Sequence, residues 1–226
     1  MKKRRFTRLQ MFVHIAAWIP LAVIIAAFLT GNLTANPIQA AQQRTGDTAL
    51  ILLGLSLACT PANTLFKFRE AVKLRRPLGL YGYMYAAIHL LIFVGLDYGF
   101  DFGLILLELS EKRYIIVGAI AFLLLTALAV TSYRTWMVRM GKNWKRLHRL
   151  VYLINLLVVL HFGWAIKGDF FRLQGDIIRP LLAGLVVIAL LALRIPAVRK
   201  RAAGMLQGAA PSRERVRVIE KRPSAE

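Results

Sequence analysis

The chain has 226 residues, 58% of them hydrophobic, a mean hydropathy of +0.55 and a formal net charge of +20. A soluble domain carries about 45–50% apolar residues; here the surplus falls in long runs, so the chain reads as a membrane protein. The positive charges lie between those runs, which leaves no soluble basic domain to bind nucleic acid, and the lone cysteine, Cys59, excludes an internal disulfide.

A basic segment, 1–10, opens the chain and leads into an apolar run. That run is longer than a signal-peptide core, so an uncleaved first helix is expected. Six apolar runs follow one another at 11–30, 48–66, 78–97, 114–133, 148–166 and 175–194. Each is close to the roughly 20 residues that a spanning helix needs. Turn and charge signals separate them: Gly31-Asn32, Arg75-Arg76-Pro77, Asp97 to Arg113, Arg134 to Arg146 and Gly168-Asp169. The expected fold is all-α, a polytopic bundle of six transmembrane helices over 11–195. A basic tail, 196–226, is expected to be flexible or interfacial. Cys59 reads as a small buried hydrophobe.

Charge sets the orientation. With the N-terminus in the cytoplasm, 25 of the 31 Lys and Arg residues fall on that side and 6 on the other. This asymmetry predicts cytoplasmic N- and C-termini. The outer loops carry Asp97, Asp101, Glu108 and Glu111 and are nearly neutral or mildly acidic.

Ionisable residues inside spans are costly and mark function by default. Three histidines qualify: His89, His148 and His161. His148 and His161 share a predicted helix, 13 residues apart, or roughly 20 Å along its axis. His89 lies 12 residues beyond Pro77 and His161 15 beyond Arg146. Both fall past the midplane, toward the outer face, where neighbouring helices could clamp one iron. His148 lies near the cytoplasmic surface, and its counterpart on the third helix falls near Arg75 and Arg76, which are not haem ligands. His14, near the inner edge of the first helix, is a candidate partner. His148 and His161 are about 140° out of phase on a straight helix. Gly82 and Ala86 share the face of His89 and would admit a flat macrocycle or another helix. Two axial imidazoles would leave iron six-coordinate, suited to passing single electrons. No Cys-x-x-Cys-His motif exists for covalent haem attachment.

Arg75-Arg76-Pro77-Leu78-Gly79-Leu80, His89, Trp144-x-x-Leu147-His148-x-x-Val151-Tyr152 and His161 together resemble a known family. So does Thr45-Gly46-Asp47-Thr48-Ala49-Leu50. The pattern is similar to the haem-binding membrane subunit of the bacterial periplasmic protein-methionine-sulfoxide reductase system (MsrQ family). That family lies within the ferric-reductase-like transmembrane group, and the likeness spans residues 10 to 195. It implies b-type haem, one or two, held by His89, His148 and His161. It implies a multi-pass protein of the bacterial cell inner membrane. Electrons would pass from the quinone pool to a periplasmic molybdopterin enzyme that repairs oxidised methionines; flavin mononucleotide (FMN) is also linked to the family. The wider group has two histidines on each of two helices, whereas this chain has one on the third.

No glycine-rich nucleotide loop is present, and the stretch after Arg194 is too short for a flavin or nicotinamide domain. The electron donor is therefore expected to be separate: a quinol, or a cytosolic flavin reductase. Arg75, Arg76, Lys145, Arg146 and Arg149 are placed to meet haem propionates, flavin phosphate or anionic membrane lipids. Trp136 and Trp144 could stack a flavin or quinone ring. The same residues also suit an ordinary interfacial belt, as do Tyr81, Tyr83 and Tyr85. The chain thus reads as a non-catalytic electron-transfer subunit of an oxidoreductase. Two alternatives are a stand-alone ferric or quinone reductase and a histidine-relay proton transporter. Against the transporter stands the lack of carboxylates within the spans before their outer edge, apart from Asp176 at the start of the sixth.

Overall fold

The structure, a computed structural model, describes residues 6–166 and 177–208. All regular structure among the described residues is helical. Five stretches are long and apolar enough to cross a membrane: Arg8–Leu29, Pro37–Phe66, Arg69–Asp97, Arg113–Val130 and Lys142–Ala165. A sixth forms if Ile178–Ala192 is taken with Pro196–Met205, to which it is bent by 96°. The expected polytopic α-helical bundle is thus present. Lys2 to Arg5, the Gly168-Asp169 turn, Asp176 and residues 209–226 lie outside the described residues.

The first span is two helices, α1 (Arg8–Ala16) and α2 (Ile19–Leu29). Thr7 and Gln10 form a reciprocal capping box that starts α1. Pro20, in the first turn of α2, cannot donate a backbone hydrogen bond. The joint is closed by another helix: the Tyr85 hydroxyl donates to the Ala17 carbonyl (2.7 Å) and accepts the Leu21 N–H (3.0 Å). It stands in the ladder where a direct i to i+4 bond would be.

Helix α3 (Pro37–Phe66) has 30 residues and starts well before the expected 48. Asn36 accepts the Gln39 N–H and Pro37 follows it, the usual signature of a helix start. Polarity at Gln39, Gln42, Gln43 and Arg44 masks that signal in a hydropathy reading. Lys67, in the left-handed region (φ 55°), ends the helix.

Helix α4 (Arg69–Leu91) likewise begins before the expected 78, so Arg75 and Arg76 are helical rather than in a loop. Pro77 lies within it. Directly after His89 the helix widens into a π-helical turn, Ile92–Asp97; such turns are frequent at functional sites. The Asp97–Arg113 connection contains a short helix, α5 (Phe102–Glu111), capped by Asp101 and tied to the next element by a Glu108–Lys112 ion pair. The Lys112 ammonium holds the Glu108 carboxyl below its ordinary range.

Then come α6 (Arg113–Val130), α7 (Arg134–Met140) and α8 (Lys142–Leu147), with Gly141 at φ 50° between the last two. His148 and Arg149 keep right-handed helical angles, so α8 leads into α9 (Leu150–Ala165). Helix α10 (Ile178–Ala192) is followed by α11 (Pro196–Gly208), which takes up the start of the expected tail.

The core joins two helix pairs, α3 with α4 and α6 with α9. Leu53, Leu125, Leu128 and Ile154 are buried together between them, while the fully buried Tyr85 lies on the side of α4 that meets α1 and α2. A Cβ on Gly82 would lie 2.9 Å from Leu53. Gly82 therefore serves the close approach of α3, which resolves its expected role in favour of a helix and not a macrocycle. Large apolar side chains such as Leu29, Leu123 and Leu185 point outward, as lipid-facing residues do.

Candidate functional site

His89 of α4 and His161 of α9 meet where the two helix pairs face each other, toward the end at which α3 and α6 begin. Their ring centroids are 6.1 Å apart with planes at 87°. Each ring is held in the same way. His89 Nδ1–H donates to the Gln42 carbonyl (2.9 Å), and His161 Nδ1–H donates to the Tyr114 carbonyl (2.8 Å). In both cases 47 residues separate histidine from carbonyl. In both cases a glycine stands four residues after the carbonyl and faces the ring. A Cβ on Gly46 would lie 3.1 Å from His89 Nδ1; one on Gly118 would lie 2.6 Å from His161 Nδ1. The two helix pairs thus present their histidines with one local design: a carbonyl to orient the ring and a glycine to make room for it.

Donation through Nδ1 fixes the tautomer and leaves Nε2 with its lone pair in both rings. An Nδ1–H bonded to a backbone carbonyl is the usual support of a metal-binding imidazole. The separation also fits. With an imidazole–metal bond of about 2.0 Å, rings on opposite faces of one metal have centres about 6 Å apart. No cluster of three or more His, Cys, Asp or Glu side chains exists among the described residues. A site of two imidazoles suits a metal whose remaining positions are filled by a macrocycle. The Gln42 amide nitrogen sits 3.3 Å from His89 Nε2, while its Oε1 is buried without a partner. A metal on His89 would displace that amide.

His148 is arranged differently. Trp144 stacks on it at 4.1 Å, and its Nε2 lies 3.1 Å from the Thr131 hydroxyl. Thr131 already donates to the Ala127 carbonyl (2.7 Å), so His148 Nε2–H is the donor in that pair. The Trp144 indole N–H donates to the Thr131 carbonyl (2.8 Å). His148 is therefore built into the α6–α8 junction, and a metal would have to take Nδ1 or replace the Thr131 bond. His14 does not complete this site. It lies 2.9 Å from the Tyr81 hydroxyl, on the side of α4 that packs against α1, away from the Thr131–His148 junction.

Arg75, Arg76 and Arg149 are exposed, at the same end of the bundle as His148, and Arg75 is within electrostatic reach of it. Of the expected interfacial tyrosines, Tyr81 meets His14, Tyr83 stacks on Phe122 and Tyr85 is fully buried. Trp136 pairs with Arg139 rather than with the histidines. Gln42, Gly46, Tyr114, Gly118 and Thr131 are the site residues that a reading of the histidines alone misses. The repeated 47-residue spacing, each time with a glycine one turn on, is the signal that could have found the first four; Thr131 stands outside it.

Residues 45–159 match the family model of the ferric reductase like transmembrane component. Relatives that carry the name protein-methionine-sulfoxide reductase heme-binding subunit MsrQ include the following three. That of Rhodospirillum rubrum is 42% identical over 194 residues, covering 85% of this chain and 90% of the relative. That of Caulobacter vibrioides is 38% identical over 200 residues, covering 86% and 92%. That of Bordetella pertussis is 36% identical over 198 residues, covering 88% and 94%. The family-model match takes in His89 and His148 and ends two residues before His161; on that match and on the 36–42% identity of relatives over more than four fifths of its length, the chain belongs to the MsrQ family of ferric-reductase-like transmembrane proteins.

Proposed function

We propose that this chain is a b-type haem electron-transfer subunit of the bacterial inner membrane. It would receive electrons from the quinone pool or a cytosolic flavin reductase at its basic face. It would deliver them to a periplasmic molybdopterin-containing methionine-sulfoxide reductase that repairs oxidised proteins. The observation that carries this reading is the His89–His161 pair: each ring is oriented by a backbone carbonyl at Nδ1 and keeps its Nε2 lone pair, which in His89 faces the Gln42 amide that a metal would displace. The names of the relatives supply the partner.

Haem held there by His89 and His161 would supply one-electron transfer, suited to relay and not to oxygen activation. The chain's own residues supply the rest. Gln42 and Tyr114 keep the rings in one tautomer and raise the basicity of Nε2. The packed α3–α4 and α6–α9 pairs shield the site from water. At the other end His148, stacked by Trp144, is the candidate ligand of a second haem. Arg75, Arg76 and Arg149 would meet its propionates, the phosphate of FMN or anionic lipid. No residue acts as a catalytic acid, base or nucleophile in this scheme.

The test is an optical spectrum of membranes holding the protein, oxidised and then reduced with dithionite. A low-spin b-type signal is expected, and its absence would refute the reading. His89→Ala and His161→Ala should each abolish the signal of the site they share, while His148→Ala spares it. Purified protein should also carry electrons from a quinol or a reduced flavin to the periplasmic enzyme. Reduction of ferric chelates instead, with none of the enzyme, would favour a stand-alone ferric reductase, as the description of the matching family model allows.

A further inference from the structure

A cavity of about 220 Å³ opens at the His148 end of the bundle, where α3, α9 and α10 meet α11. Thr60, Thr64, Tyr152, Leu193, Arg194 and Arg199 line it. Arg194 is the unusual member. Its guanidinium donates to the Tyr152 hydroxyl (2.6 Å) and the Leu57 carbonyl (2.8 Å) and lies over the Tyr152 ring. Its Nε–H is buried and has no acceptor. The Thr60 hydroxyl, also lining the cavity, is buried without a partner. Among the described residues no carboxylate pairs with Arg194. The charges near it are positive: Arg199 in the same cavity and Arg75 within electrostatic reach.

Arg194 is half-buried with its Nε enclosed; a partly desolvated cation without an anion carries a cost, which falls when an anion enters with good hydrogen-bond geometry. Here Arg194, Arg199, Thr60, Thr64 and Tyr152 line one space; the Thr64 hydroxyl is spent on the Thr60 and Pro61 carbonyls, and the Arg194 Nε–H and the Thr60 hydroxyl are the donors left over. An anion with several acceptor oxygens would satisfy them together. A single carboxylate offers two oxygens; a phosphate offers more and suits the arginine fork. The cavity lies at the end of the apolar helices, the depth of a membrane headgroup, and its size suits one such group. We propose that this cavity binds a phosphate group through Arg194, Arg199 and Thr60. Either a lipid headgroup or a free phosphate could provide it. The site is separate from the histidine pair and needs no haem.

The experiment uses the full-length haem-loaded protein in neutral detergent. Its thermal unfolding is followed against inorganic phosphate, against phosphatidylglycerol added to the micelles, and against a phosphate-free diacylglycerol. Phosphate or phosphatidylglycerol should raise the unfolding temperature, and diacylglycerol should not. Arg194→Gln should weaken the apparent affinity about 10- to 100-fold, as loss of a charge-assisted hydrogen bond does. Thr60→Val should weaken it less. Arg199→Gln, at a half-buried position, repeats the expectation should Arg194→Gln fail to fold. The haem spectrum should be unchanged in all three. A response to inorganic phosphate identifies a free phosphate as sufficient, and one confined to phosphatidylglycerol identifies a lipid. No response to either, or equal responses in wild type and variants, overturns the proposal.

Discussion

At His161 the space for a single methyl group decides where the imidazole sits. A Cβ on Gly118 would come within 2.6 Å of Nδ1 and 2.7 Å of Cε1, closer than real Cβ contacts allow. The ring cannot simply swing away, because its Nδ1–H is committed to the Tyr114 carbonyl. Gly118→Ala should therefore break that bond and turn Nε2 off its axis, with an overpacking cost of about 1–3 kcal/mol. Gly46→Ala is the milder case. Its Cβ would stand 3.1 Å from His89, a distance that a shift of a few tenths of an ångström relieves. The haem-to-protein ratio and the midpoint potential should both fall out in that order: Gly118→Ala strongly perturbed, Gly46→Ala slightly. Equal losses would mean that the glycines serve helix packing and not the rings. The histidines themselves were legible from sequence, because an ionisable residue in an apolar run stands out. Their supports were not. A carbonyl has no residue signature, and a glycine in a helix more often reads as a packing site.

The break between α1 and α2 shows why an element can be right in place and hidden in construction. Hydropathy finds one span there, and the structure agrees in extent. What holds its two halves is Tyr85, three helices away in order, whose hydroxyl both donates to Ala17 and accepts from Leu21. In sequence Tyr85 is one of three alternating tyrosines and resembles an interfacial anchor. Only the packing of α4 against α1 reveals it as fully buried. Tyr85→Phe would keep the shape and remove the hydroxyl, leaving one carbonyl and one N–H unpaired in an apolar setting. Each such group costs about 1–3 kcal/mol. The variant should therefore unfold at distinctly lower temperature in detergent, with faster hydrogen exchange at Leu21. The Nδ1-supported histidine pair should keep its spectrum, since among the described residues its hydrogen bonds and ring contacts come from α3, α4, α6 and α9 and not from α1 or α2. Tyr81→Phe is the matching control. It removes a hydroxyl shared with His14 at a half-buried position and should cost less. The early starts of α3 and α4 escaped a hydropathy reading for a related reason. Residues 37–47 and 69–77 are polar, and a helix that extends beyond the apolar core of a membrane carries no apolar pattern to announce it.

For the molecule as a whole, charge and chemistry point along the same axis. The histidine pair sits toward one end, beside Gln42 and Tyr114 near the starts of α3 and α6. The other end gathers His148, Trp144, the exposed Arg75, Arg76 and Arg149, and the Arg194 cavity. If the positive-inside rule holds, the basic end is cytoplasmic and the histidine pair faces the periplasm. Donor and acceptor then meet opposite ends of one bundle, and the direction of electron flow follows from the orientation. The described residues alone carry this asymmetry: Lys67, Arg69 and Lys73 join the arginines at the basic end, while the α5 connection holds Asp97, Asp101, Glu108 and Glu111. Reporter fusions test it directly. Green fluorescent protein joined after residue 226 should fluoresce, and alkaline phosphatase at the same place should stay inactive. Alkaline phosphatase inserted at Gly103, in the α5 connection, should be active. The same insertion at Gly141, between α7 and α8, should not. Active phosphatase at the C-terminus or at Gly141 would invert the molecule. The histidine pair would then face the cytoplasm, where it could not serve a periplasmic enzyme, and the proposed direction of transfer would fall with it.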